Sequence, residues 1–151
     1  MSISLNTAQF RHLSMNTRFP FKYGIASMTS LPHVFLCVEV DFSGKIVKGI
    51  SSEGLPPKWF TKNPDTTFEE DLPEMITVLS TALDFSKKIR ADTIFEFWVE
   101  LYEVQERWAK EENIPPLLAH LGSSLVERAL IDALCRASKK SFHEVLRKND
   151  L

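Results

Sequence analysis

The chain has 151 residues, of which 44% are hydrophobic and 25% charged; this is the length and composition of one folded domain, and too short for a complete catalytic barrel of about 250 residues. Lys and Arg total 18 against 20 Asp and Glu, so no basic excess is present to hold a nucleic-acid backbone or an anionic membrane. Cys37 and Cys135 each lie in an apolar run, which reads as two buried free thiols, and no stretch approaches the roughly 20 apolar residues of a membrane span, so a soluble, cytoplasmic protein is expected.

The first 60 or so residues read as strand. Ile3 to Leu13 is a weak candidate, with Ile3, Leu5 and Thr7 in alternation. The segment His33 to Phe42 (HVFLCVEVDF) is stronger: Val34, Leu36, Val38 and Val40 fall on one face, and Phe35, Cys37, Glu39 and Asp41 on the other. A Ser43-Gly44-Lys45 turn and a return strand, Ile46 to Ile50, complete an antiparallel hairpin. A three-stranded antiparallel meander is the economical reading. Two long connections, Phe19 to Pro32 and Ser51 to Asp65, are rich in loop formers and also carry Phe21, Lys22, Tyr23, Lys58, Trp59 and Phe60.

Helices follow from about residue 66. Asp71-Leu72-Pro73-Glu74 supplies an N-cap candidate, a first-turn proline and a glutamate, ahead of a stripe at Met75, Leu79, Ala82 and Leu83. The acidic runs Glu69-Glu70-Asp71 and Glu111-Glu112 read as surface positions at helix ends. Thr93-Ile94-Phe95-Glu96 opens a second helix with Ile94, Trp98, Leu101, Tyr102, Gln105 and Trp108 on one side, closed by Pro115-Pro116. Ser124-Leu125-Val126-Glu127 reads as a third box, and Ser141 to Lys148 as a last short helix.

No self-sufficient chemistry emerges. His12, His33, His120 and His143 lack metal-ligand spacing, no serine sits in a nucleophile elbow, and the five glycines form neither G-x-G-x-x-G nor GxxxxGK[ST]. His143 and Glu144 read as a solvated helix face. Trp98 and Trp108 are core or interface residues by their stripe, whereas Trp59, after Pro56-Pro57-Lys58, has no helical or strand face obliging it to be buried.

The order of these segments, RFPFKYGIASMTSLPHVFLCVEVDFSG (18 to 44), KGISSEGLPPKWF (48 to 60) and SLVERALIDALCRASKKSFHEVLRKND (124 to 150), resembles the N-terminal capping domain of the enolase superfamily, in its mandelate racemase and muconate lactonizing enzyme branch. The pattern Ala129-Leu130-Ile131-Asp132-Ala133 is similar to that of the family's last long helix before the barrel. The resemblance implies an α+β fold, a meander followed by a helical bundle, forming a single capping domain over residues 1 to 151 (β part about 1–60, helical part about 66–150). It further implies that catalysis belongs to a C-terminal barrel absent from these residues, where acidic side chains hold Mg²⁺ and a Lys or His base abstracts the proton alpha to a carboxylate. No catalytic residue, metal or cofactor is expected within this chain.

What the resemblance assigns to the cap is substrate selection. The first loop contributes Pro20, Phe21, Lys22, Tyr23, Gly24 and Ile25, and the second Ser52, Glu53, Gly54, Leu55, Lys58 and Trp59. In these roles Lys22 and Lys58 pair with a substrate anion, Tyr23 donates a hydrogen bond, and Ile25 and Trp59 wall the pocket. The implied partners are the barrel, or a second copy through the face the barrel leaves uncovered, and a small carboxylate. The sequence departs from the family at Ser138-Lys139-Lys140, where a glycine is usual. The competing reading is a stand-alone ligand-binding or oligomerisation module.

Overall fold

The computed structural model describes residues 2–151. Three long strands, β1 (Ile3–Tyr23), β2 (Ala26–Phe42) and β3 (Lys45–Gly54), form the expected antiparallel meander. The helices are α1 (Phe68–Ser86), α2 (Ile94–Glu111), α3 (Pro116–Ser138) and α4 (Phe142–Lys148). A two-residue strand, β4 (Arg90–Ala91), adds an edge the sequence did not disclose: it pairs with Ile3 and Ser4, giving the order β3-β2-β1-β4.

The alternation in β2 sorts as its sequence requires. Val34, Leu36, Val38 and Val40 are buried with Ile3, Leu5 and Phe42 against the helices, while Phe35, Cys37, Glu39 and Asp41 stay half-buried on the opposite face. The two thiols are free and half-buried rather than fully enclosed.

The first long connection is not a loop. Phe19 to Pro32 continues β1 and β2 as a two-stranded ribbon, with Tyr23 opposite Ala26 across a two-residue turn at Gly24-Ile25. Gly24 has φ +51, the left-handed conformation that such a turn demands at its first central position. Pro20 is tolerated because it falls in the register shift between Asn16 and Phe21, and Pro32 because β3 reaches only as far as His33, leaving this part of β2 an edge.

The helix boundaries also move. Thr67, not Asp71, caps α1: its side chain accepts from Glu70 N–H and the Glu70 carboxylate accepts from Thr67 N–H, which holds the Glu70 carboxyl below its ordinary value. Asp71 is therefore inside the helix and buried, against the surface position expected for it. Pro115-Pro116 opens α3 rather than merely closing α2, and Ser124 lies within that helix instead of capping one. In α2 the fully buried aromatic is Phe97, with Trp98 and Trp108 half-buried beside it. Thr93 caps α2, its side chain accepting from Glu96 N–H, but the Glu96 carboxylate accepts from Asp92 N–H instead of closing the box; Ser141, read as the start of the last helix, is its N-cap, with a complete box to Glu144. Lys139 takes the left-handed C-cap geometry, φ 56 and ψ 37, that glycine adopts most cheaply.

Helix α3 lies directly on the sheet and on α1 because two glycines admit its close approach. A Cβ at Gly49 would meet the Ala129 carbonyl oxygen at 2.1 Å, and one at Gly122 would meet the Val78 carbonyl oxygen at 2.3 Å. Backbone on both sides leaves no flexible atom to yield. Gly49→Ala and Gly122→Ala are each expected to cost at least about 2 kcal/mol in urea unfolding; variants as stable as the wild type would show that α3 can move off without loss.

Candidate functional site

The hairpin tip and the segment after β3 converge at one end of the molecule. The chain leaves β3 at Gly54, and Leu55 is fully buried with its N–H donating to Pro32 O at 2.9 Å. Residues 56–66 then pack without regular hydrogen bonding of their own, held by two polar anchors.

The first anchor is Lys58, whose backbone is left-handed at φ 58. Its Nζ donates to Asn63 O (2.7 Å), Thr66 Oγ1 (2.8 Å) and Asp71 Oδ2 (2.7 Å). Three protons meet three acceptors. The Lys58 side chain is 12% exposed and that of Asp71 1%, and Thr66 Oγ1 donates to the other Asp71 oxygen at 2.6 Å, so the buried carboxylate is satisfied at both ends.

The second anchor is Tyr23. Its hydroxyl donates to Pro57 O at 2.5 Å, and its ring meets Trp59 edge-on, centroids 6.0 Å apart. Burial raises the phenol above its ordinary value, so the hydroxyl keeps its proton and remains a donor across neutral pH.

Between these anchors lies an open cleft of about 460 Å³ lined by Tyr23, Gly24, Ile25, Lys58, Trp59, Lys62 and Leu117. Its apolar walls face water: Ile25 is 74% exposed and Trp59 55%. Five of the twelve loop residues named from sequence, Tyr23, Gly24, Ile25, Lys58 and Trp59, are thus brought together. Phe21 stands beside them, its ring 5.5 Å from that of Tyr23. Lys22 is exposed opposite Ser27 on the ribbon and is not part of the cleft lining.

Ser52 and Glu53 sit elsewhere. Arg128 of α3 donates to Ser52 O at 3.0 Å and to Glu53 Oε2 at 2.9 Å, which fastens the end of β3 to the helix. The anion-pairing role implied for Lys58 meets a geometric obstacle, since all its protons are engaged. Lys62 is the exposed ammonium in the cleft wall. Neither Lys62 nor Leu117 was singled out from sequence, although Lys62 lies three residues from Trp59 and Leu117 is an apolar residue in the exposed first turn of α3. Among the described residues, no group of three or more His, Cys, Asp and Glu is arranged to hold a metal ion.

Asp71→Ala strands the Lys58 ammonium and Lys58→Met strands a buried carboxylate. Each is expected to lose about 3 kcal/mol in chemical denaturation, with the double variant Lys58→Met/Asp71→Ala losing less than the sum. Full additivity would mean that the two side chains do not act as a pair.

No protein-family sequence model matches the chain, and no curated protein sequence matches it significantly. Solved structures do match. An enolase from alpha proteobacterium bal199 with bound magnesium aligns with a TM-score of 0.62 at 18% identity, over 95% of this chain and 34% of that one. An enolase from Bradyrhizobium complexed with magnesium and mandelic acid aligns with a TM-score of 0.55 at 15% identity, over 97% of this chain and 35% of that one. The chain spans about a third of the length of each. Its α+β fold is that of one part of the enolase-superfamily structures.

Proposed function

We propose that this chain is the substrate-specificity cap of an enolase-superfamily enzyme of the mandelate racemase and muconate lactonizing type. The reaction class is Mg²⁺-dependent abstraction of a proton alpha to a carboxylate, of racemase, dehydratase or cycloisomerase type, carried out in a C-terminal barrel outside residues 1–151. The observation that carries this reading is the convergence of the hairpin tip and the 55–66 segment into one exposed apolar cleft. Exposed Trp59, Ile25 and Leu117 form a wall suited to being covered, and a barrel mouth closing on it would remove water from the reacting end of the substrate.

In this role each cleft residue has a distinct task. Trp59, Ile25 and Leu117 contact the distal, apolar part of the substrate. Tyr23 braces Trp59 and keeps the two segments together. Lys58 acts by holding its loop to Asp71 and not by touching substrate, and the cation presented to an anionic substituent is Lys62. Such contacts select among carboxylates without entering the proton transfer.

The test is deuterium exchange at the α-carbon of mandelate and related carboxylates, followed by NMR in D₂O with Mg²⁺. The 151-residue chain alone is expected to leave the α-proton in place, whereas a gene product continuing into a barrel exchanges it. In that longer protein Trp59→Ala should raise KM about tenfold or more for substrates with an apolar distal group, with the Mg²⁺ requirement unchanged. Exchange catalysed by residues 1–151 alone would overturn the reading.

A further inference from the structure

The first turns of α3 carry a polar cluster that the cleft does not use. Tyr102 of α2 and His120 of α3 stack face to face, ring centroids 3.8 Å apart and planes 2° from parallel. His120 Nδ1 lies 3.0 Å from Ser123 Oγ, and Ser123 is 1% exposed. Nε2, on the other side of the ring, is enclosed and meets no hydrogen-bond partner among the described residues. One helical turn back along α3 is Leu117, a wall of the cleft.

These contacts choose the tautomer. With the proton on Nδ1, that N–H donates to Ser123 Oγ, whose own proton goes to the His120 carbonyl oxygen at 3.4 Å, and Nε2 is left as a lone pair. With the proton on Nε2, an enclosed N–H would have no acceptor. A second proton creates that same unpaired N–H and adds a charge. The attraction of an imidazolium for the face of a phenol ring is weaker than the penalty of an enclosed, unpaired N–H⁺. Burial accordingly pushes the imidazole below its ordinary value of 6.5, against a smaller upward pull from Glu106. Tyr102 and Glu106, both on α2, are the titratable groups facing the ring, with Lys110 paired to Glu106 at 3.3 Å. The neighbouring contact of α3 with α1, Gly122 on the Val78 backbone, carries no charge.

We propose that His120 is a pH-sensitive latch between α2 and α3. Neutral, its ring lies on Tyr102 and pins the start of α3; protonated, it leaves the stack for water beside Glu106, and the turn bearing Leu117 loosens. Polar support for that turn is thin. Its N-cap is Pro115, with no side-chain hydrogen bond to the free N–H groups, and its polar tie to α2 is Gln105 Nε2, which donates to Ala119 O at 3.1 Å. The buried Leu118, Leu121 and Leu125 keep the helix in place, so the release is a local opening. The opened state takes its proton at the ordinary imidazole value and the closed state only below it, so opening grows as pH falls below 6.5 and is suppressed above it.

NMR of the wild-type chain and of His120→Phe, which keeps a ring on Tyr102 but does not titrate, tests this. In the wild type the His120 ring-proton resonance, identified by its NOE to the Tyr102 ring, should titrate with a midpoint below 6.5 and lose its ring-current shift in the protonated form. Amide protection factors of residues 119–123 should fall severalfold between about pH 7.5 and 5.5, up to the roughly tenfold limit set by one pH unit below the ordinary imidazole value, and stay level in His120→Phe. A midpoint at or above 6.5, a ring-current shift kept through the titration, or an equal loss of protection in the two proteins overturns the proposal. If His120→Phe fails to fold, the wild-type titration alone decides.

Discussion

Lys58 and Asp71 meet at 2.7 Å in a site nearly closed to water, and the cleft end of the molecule depends on that contact. A buried ion pair is a costly device, since two charges lose their hydration, and apolar side chains of similar volume often do as well or better. What it supplies here is direction. The ammonium reads three acceptors from two places, the loop itself at Asn63 and Thr66 and the first turns of α1 at Asp71. The path of residues 56–66 that satisfies all three presents Trp59 to Tyr23. The left-handed backbone of Lys58, unusual for a residue with a long side chain, is held because its ammonium has nowhere better to go.

Behind the cleft, α3 acts as the spine. Gly49 and Gly122 let it touch both the sheet and α1, and its polar residues work on the sheet directly: Asp132 accepts from Ile50 N–H, Ser51 Oγ donates to Leu125 O, and Arg128 holds Ser52 and Glu53. The end of β3 is thereby fixed before the chain turns into Leu55 and the clamped loop. The meander and the bundle act as one scaffold, and the two cleft-forming segments project from it at the same end.

The parts legible in the sequence are those decided by local periodicity. β2 is legible because one face is buried and the other is not, and the Thr93 cap because its hydroxyl reaches Glu96 N–H within one turn. The first long connection was misread as a loop because Pro20, Gly24 and Pro32 are loop formers in isolation; a register shift, a two-residue turn and an edge position, all tertiary circumstances, make each compatible with a ribbon. Asp71 was misplaced for a similar reason. Beside Glu69 and Glu70 it reads as solvated, and only a lysine thirteen positions earlier in the chain accounts for its burial. The cleft was legible in its aromatic and apolar members, since Tyr23, Ile25 and Trp59 had no periodic face to serve. Which lysine is free was not legible, because that depends on where Asp71 points.

The Lys58–Asp71 pair clamps residues 56–66 and reaches the hairpin tip through the Tyr23–Pro57 hydrogen bond and the Tyr23–Trp59 ring contact. Amide hydrogen exchange of residues 20–28 and 55–66, compared between wild type and Asp71→Asn, tests this coupling most directly. Both segments should be protected in the wild type and lose protection together in the variant, while residues 34–42 of β2 keep theirs. Unchanged exchange at the hairpin tip when the loop is released would contradict it.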